Sequence, residues 1–259
     1  MKVMITEKTC AIMPVHVYGN ICDVEEIDRI AKAHNLKVIY DAAHAFGEKY
    51  KGVGVMSYGD MSILSFHATK VFHTIEGGAI CYWNPKLKDE IFKLRDFGIK
   101  DEETVDCIGT NGKMNEFAAA MGLCNLRHID AEIEKRKKIV EKYRNILEGL
   151  PGIKLNPIDT NVRSNYAYFP VIVDETKCGY TRDDICKYMV SKNIHARKYF
   201  YPLTNDFACY RERFDVKKTP TALQISKRVI ALPLYADMSD DDVERVCGVF
   251  LEWRYKSNV

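Results

Sequence analysis

Long apolar runs are missing from this chain. No segment approaches the roughly 20 consecutive apolar residues that a bilayer-spanning helix needs, and the opening stretch MKVMITEKTCAIMPVHVYG holds no apolar run of signal-peptide length. A cytoplasmic protein with no membrane partner is expected. Charge of one sign is lacking too. The 38 basic and 36 acidic side chains nearly cancel, and the longest basic run, Lys135-Arg136-Lys137-Lys138, sits among glutamates in a helical pattern. No nucleic-acid partner is expected. The nine cysteines include no CxxC pair, so reduced, mostly buried thiols are expected. The spacing of Cys10, His16 and Cys22 matches known zinc-ligand patterns poorly, and no metal is expected. A GxGxxG loop after the first strand is also absent, which argues against a dinucleotide-binding Rossmann domain. What remains is a chain of 259 residues, 47% apolar, able to bury one large core or two modest ones.

The first half alternates strand-like and helix-like segments. Thr9 to Val15 is short and apolar, Asp23 is placed to cap a helix through Ile27, Ile30 and Ala31, and Leu36 to Tyr40 is a buried-strand run ending at Asp41. Met61 to Phe66 and Gly78 to Trp83 add two strands, which predicts an α/β sheet covered on both faces. Asn115 to Asn125 reads as a helix, followed by a long amphipathic one carrying Leu126, Ile129, Ile133, Val140, Tyr143 and Leu147. The latter stops at Gly149-Leu150-Pro151-Gly152, the expected boundary between domains 1–150 and 151–259. The second domain is expected to be a small α+β unit. It reads as a strand over Tyr166 to Val173, a helix opened by Thr181 with Asp184 three residues on, a strand near Ile194, and a last helix opened by Ser239.

Chemistry concentrates around Ser65-Phe66-His67-Ala68-Thr69-Lys70. Asp41 ends a strand, where open α/β sheets place their ligands, though an isolated aspartate there reads as a cap or turn residue. Lys70 alone reads as a solvated surface charge, and Ser65 as an ordinary strand-end serine. Together they supply an amine able to form a Schiff base, a carboxylate able to face a ring nitrogen and a hydroxyl able to hold a phosphate, which are the needs of pyridoxal 5'-phosphate (PLP) chemistry. Glu76-Gly77-Gly78 marks a turn where backbone passes close to something bulky, or a plain hairpin. His67 and His73 read as structural.

The motifs Asp41-Ala-Ala-His44, Ser65 to Lys70, Glu76-Gly-Gly-Ala79 and Gly109-Thr-Asn111-Gly-Lys-Met114-Asn115-Glu116 occur in the order and spacing of the DegT/DnrJ/EryC1/StrS sugar aminotransferases, which the chain resembles. Pro14-Val-His-Val-Tyr-Gly19 and Leu232-Pro-Leu234 extend the resemblance over essentially the whole chain. It implies a PLP-dependent transferase of fold type I, aspartate aminotransferase-like. Lys70 is then the catalytic, cofactor-bonded lysine and Asp41 pairs with the pyridine nitrogen. His44 stands where the family has Gln or His near the ring hydroxyl, Ser65 contacts the phosphate, and Asn111 reaches the phosphate of a neighbouring subunit in a homodimer. The implied reaction moves an amino group from L-glutamate to a keto carbon of a nucleotide-linked sugar. The wording SFHATKVFHTIEGGAI is similar to members that aminate C4 of dTDP-4-dehydro-6-deoxyglucose. Tyr199 and Tyr201, in the irregular segment 197–203, are expected to contact the sugar.

Met1 to Thr6 resembles a point well inside the family's large domain, so an N-terminally truncated large domain is expected, weak in cofactor binding and seeking a partner, either itself or a companion N-terminal chain. Two other readings stay open. One is a non-catalytic remnant or subunit that associates with such a chain. The other is a PLP-dependent sugar dehydratase of the same family, in which histidine replaces the lysine; the presence of Lys70 ranks it last.

Overall fold

A computed structural model of the protein describes residues 1–256, with side chains through Glu252; positions 257–259 of the expected second domain lie outside the described residues. In chain order the strands are β1 (Ala11–Ile12), β2 (Lys37–Asp41), β3 (Lys49–Tyr50), β4 (Val53–Gly54), β5 (Met61–Ser65), β6 (Gly78–Tyr82), β7 (Ile153–Leu155), β8 (Val162–Arg163), β9 (Phe169–Val173) and β10 (Val229–Leu232). The helices are α1 (Val24–Ala33), α2 (Lys88–Arg95), α3 (Glu116–Leu126), α4 (Ile129–Leu147), α5 (Glu175–Cys178), α6 (Arg182–Ser191), α7 (Pro220–Ser226) and α8 (Asp240–Lys256).

Two compact units emerge, one of Met1–Ala131 with Thr160–Ala167, the other of Glu132–Asp159 with Tyr168–Val259. The division therefore differs from the expected boundary after residue 150. The Gly149 to Gly152 turn ends helix α4, but the chain then returns to the first unit, where β8 pairs antiparallel with β3. A helix stop is a local event, whereas the extent of a unit is set by pairings distant in sequence.

In the first unit, Asp23 caps α1 by accepting a hydrogen bond from the Glu26 amide at 3.0 Å. The helix buries Val24, Ile27 and Ala31 against Leu36, Val38 and Tyr40. β1 and β2 are parallel, as the intervening helix allows, and β2 is parallel to β5. β6 then runs antiparallel to β5, giving the sheet order β1-β2-β5-β6. The expected strand Thr9 to Val15 is reduced to two residues and a bridge from Val15 to Asp41.

The expectation of a sheet covered on both faces is corrected. Ser62 and Leu64 are buried, while Ile63 and its cross-strand partner Ile80 are 38% and 50% exposed. α1 packs only on the Val38 and Tyr40 side. The pleat places Asp41, the β2 partner of Ile63, on the same open face.

The second unit is built on an antiparallel sheet ordered β10-β9-β7. Tyr143 of α4 stacks on Phe169 at 4.9 Å, and its hydroxyl donates to the Pro233 carbonyl at 2.9 Å. Ile185, Met189, Val243, Cys247 and Phe250 complete the core. Thr181 and Asp184 form the anticipated capping box, and Ser239 accepts from the Asp242 amide at 3.1 Å. The expected strand near Ile194 is not formed. The Ile194 amide is spent on the Met189 carbonyl at the end of α6, and only Arg197 reaches the sheet, through a bridge to Ala231.

A Cβ added at Gly78 would lie 2.7 Å from the Leu64 carbonyl oxygen, a backbone atom with nowhere to move. Gly78→Ala is expected to lower stability by about 1–3 kcal/mol, read as a drop in urea midpoint. Gly54→Ala, where a Cβ would meet nothing within 4 Å, is the neutral control.

Candidate active site

The parallel register of β2 and β5 sets Asp41 opposite Ile63, so the carboxyl end of both strands carries Asp41, Ser65 and the segment leading to Lys70. Asp41 is fixed by its backbone, which exchanges hydrogen bonds with Pro14 and His16 at 2.9 and 3.0 Å, and its Oδ1 accepts from the Ala43 amide at 3.0 Å. The Ser65 hydroxyl accepts from the His67 amide at 3.4 Å. Beyond it the chain makes a tight loop. The Lys70 amide donates to the His67 carbonyl, and the Phe66 carbonyl accepts from Thr74. The aromatic rings of Phe46, Phe66 and Phe72 pack beneath, with centroids 4.3 to 5.8 Å apart. Gly77 closes the loop where a Cβ would sit 2.3 Å from Thr74 Oγ1, so the backbone does pass close to its neighbours there.

Lys70, His44 and Asp41 act on one another electrostatically. Burial pushes the Lys70 amine below the ordinary lysine range, and the Asp41 charge opposes this. Burial likewise lowers His44 to about 4, helped by the Lys70 charge and opposed by Asp41. The His44 Nδ1 accepts a hydrogen bond from the Tyr18 amide at 2.9 Å. A neutral imidazole, an amine with a lowered proton affinity and a carboxylate therefore share the strand ends. This donor set fits a group that needs an amine nucleophile, a counter-charge and a neutral polar neighbour. His67 Nδ1 lies 2.9 Å from Thr69 Oγ1, which ties that residue into the loop.

Asn111 lies elsewhere in the same unit, exposed, in an antiparallel bridge with Asp96. Met114, three residues on, is a close neighbour of Gly77. Tyr199 and Tyr201 belong to the second unit. The Tyr199 hydroxyl accepts from Arg197 at 2.6 Å, and the Arg182 guanidinium lies 4.9 Å from the Tyr201 ring centroid. His16 is fully buried, stacked on Tyr40 at 4.6 Å. Its Nδ1 accepts from the Cys22 amide and its Nε2 has no partner among the described residues. Among the described residues no three His, Cys, Asp or Glu side chains converge to hold a metal. All nine cysteines are free.

Sequence reasoning missed Glu48 and Asn165, both buried beside the loop that carries His44. Glu48 Oε1 accepts from the Asn165 amide at 3.1 Å and the Ser164 hydroxyl at 3.2 Å. Burial raises this carboxyl to about 8 against those two hydrogen bonds. The only signal for it was a glutamate directly after the Gly47 turn, which reads equally well as exposed.

Because folded Glu48 holds its proton to about pH 8 while an unfolded glutamate releases it near 4.5, the native state binds more protons between those values. Stability should therefore fall as pH rises from about 4.5 to about 8. Glu48→Gln should flatten that limb of a denaturation-against-pH profile.

Comparisons with known proteins found many relatives. The sequence profile described as the DegT/DnrJ/EryC1/StrS aminotransferase family matches residues 1–251. Over 248 residues the chain is 44% identical to a dTDP-4-amino-4,6-dideoxy-D-glucose transaminase of Shigella dysenteriae, covering 96% of this chain and 67% of that protein. The structure of DesI solved with its TDP-sugar product superposes with a TM-score of 0.91 at 31% identity, covering 100% of this chain and 66% of that one. The PLP form of the sugar aminotransferase Spr1654 from Streptococcus pneumoniae gives 0.86 at 27% identity, over 97% of this chain and 70% of that one. The chain thus spans about two thirds of the length of these relatives. With the aminotransferase fold type I architecture shared across this chain and its motifs in place, the chain belongs to the DegT/DnrJ/EryC1/StrS aminotransferase family.

Proposed function

We propose that this chain carries the lysine-bearing part of a PLP-dependent transaminase that moves an amino group from L-glutamate to a keto carbon of a nucleotide-linked sugar, specifically dTDP-4-dehydro-6-deoxyglucose at C4. The observation that carries the proposal is the meeting of Lys70, Asp41 and His44 at adjacent parallel strand ends, with the amine depressed by burial. The 44% identity to a transaminase of a dTDP-4-amino-4,6-dideoxy sugar supports the substrate.

PLP, when bound, supplies an electron sink for the electrons freed at the carbon that bears the nitrogen. The protein's part follows from its own groups. Lys70, with its lowered proton affinity, offers an unprotonated amine more readily near neutrality than a solvated lysine does, and can then carry a proton to and from carbon. Asp41 would keep the ring nitrogen protonated. The Ser65 hydroxyl would hold a phosphate oxygen, and His44 would lie against the ring as a neutral side chain. Lys70 also weighs against the dehydratase reading, which replaces it with histidine.

The assignment of Tyr199 and Tyr201 to sugar recognition belongs to the same proposal, supported by the exposed Tyr201 ring and by the hydroxyl of Tyr199 being oriented by Arg197. So do a cytoplasmic location and association, as a homodimer sharing Asn111 or with a companion chain. Association is supported by large apolar side chains in the first unit that face solvent, Ile108 at 94% and Phe117 at 90% exposure among them.

Incubation with PLP and borohydride should fix the cofactor on Lys70, read by peptide mass, and glutamate-dependent amination of the keto sugar should fall by a factor of at least about 10²–10⁴ in Lys70→Ala. Labelling spread over other lysines would sink the proposal. Light scattering is expected to give a mass above the 29.7 kDa of one chain, and Phe117→Ser is expected to shift it down.

A further inference from the structure

Three segments of the first unit converge on the Glu48 carboxyl. Residues 160–167 reach it through β8, whose pairing with β3 brings the Ser164 hydroxyl and the Asn165 amide onto Glu48 Oε1. The turn at Tyr18-Gly19 packs on its other side, so closely that a Cβ at Gly19 would lie 2.6 Å from the same oxygen, at a φ of +88°. The third segment is the loop from Ala42 to Glu48, which carries His44.

Asn165 spends its whole side chain on this loop and on its own segment between β8 and β9. Nδ2 donates to the His44 carbonyl at 2.8 Å and to the Phe46 carbonyl at 3.0 Å, while Oδ1 accepts from the Ala167 amide at 2.9 Å. A flipped amide would set Oδ1 against two carbonyl oxygens, so only one orientation is satisfied. Across the loop, the Tyr18 amide, at a φ of 62°, donates to His44 Nδ1. An N–H donor there requires Nδ1 to be unprotonated, which places the imidazole proton on Nε2.

We infer that Glu48 and Asn165 are positioning residues that act through His44, holding its backbone so that Nδ1 meets the Tyr18 amide and Nε2–H is the donor this side chain offers. The proposal rests on the transaminase reading only in the recipient of that donor, an acceptor oxygen of the bound cofactor. A purely structural clamp would change stability and leave the imidazole as it is. A positioning clamp sets its tautomer and its titration. The charged groups that face His44, Lys70 and Asp41, are kept in every variant of the test.

The test is ¹⁵N imidazole NMR of the cofactor-free chain across pH, with the His44 signals assigned by their loss in His44→Gln. The wild type is expected to show a single Nε2–H tautomer titrating well below the ordinary histidine value. In Asn165→Ala and in Glu48→Ala, the His44 signals should become a tautomer mixture and titrate at least one pH unit higher. Glu48→Gln, which keeps the Oε1 acceptor, should retain the wild-type spectrum. Wild-type His44 signals in a folded Asn165→Ala protein, or loss of the tautomer in Glu48→Gln, would overturn the inference. If Glu48→Ala does not fold, those two variants decide it. Borohydride trapping of PLP on Lys70 is measured in parallel. Its absence in the wild type counts against the transaminase reading alone, because the imidazole spectra are recorded without cofactor.

Discussion

The parallel pairing of Ile39 with Met61, Tyr40 with Ser62 and Asp41 with Ile63 is the constraint on which the candidate site depends. Side chains alternate across a sheet, so this register decides which face each residue occupies. It sends Val38, Tyr40, Ser62 and Leu64 into the core and turns Asp41 outward. A slip of one residue would bury the Asp41 carboxyl among the apolar side chains that α1 covers, at a cost of several kcal/mol unless it took up a proton. The same pairing fixes where β5 ends and so where the loop to Lys70 begins. β6 then pins the loop from its far side, with Gly78 passing so near the Leu64 carbonyl that no side chain fits.

Burial works in one direction on three different chemistries at this end of the sheet. It lowers the proton affinity of Lys70 and of His44 and raises that of Glu48, in each case favouring the uncharged form. His44 and Glu48 are thereby neutral at neutral pH, although both are ionisable by type. Asp41 supplies a negative field that Lys70 and His44 feel, and Lys70 adds a positive one at His44. A site built this way surrounds its two opposite charges with polar groups that burial keeps uncharged.

Much of this was legible in the sequence. Asp23, Thr181 and Ser239 cap helices as their types and offsets predict, because capping is a local exchange of one side-chain oxygen for one free amide. Asp41, His44 and the loop from Ser65 to Lys70 lie together at the strand ends of the first unit. What escaped was set by distant pairings. The return of residues 160–167 to the first unit depends on two residue pairs between β3 and β8, too few to leave a periodic trace. Asn165 and Glu48 read as ordinary loop polars until that pairing buries them. The open sheet face was equally hidden, since Ile63 and Ile80 are as apolar as any core residue. The strand expected near Ile194 failed for a similar reason: an apolar residue was placed correctly in the core, but its amide was already committed to closing helix α6.

The hydrogen bond from the Tyr18 amide gives position 44 a valence. The side chain there must accept on one edge and can donate on the other. A neutral imidazole meets both demands, and so does a carboxamide, whose carbonyl can take the amide while its NH₂ faces away. Glutamine and histidine are thus interchangeable in this respect, though unlike in size, aromaticity and titration. Lysine and arginine, which only donate, and an ionised carboxylate, which only accepts, each leave one of the two edges unserved. Variation at residue 44 is therefore governed by the polarity of its two edges, and neither bulk nor charge alone predicts what it tolerates.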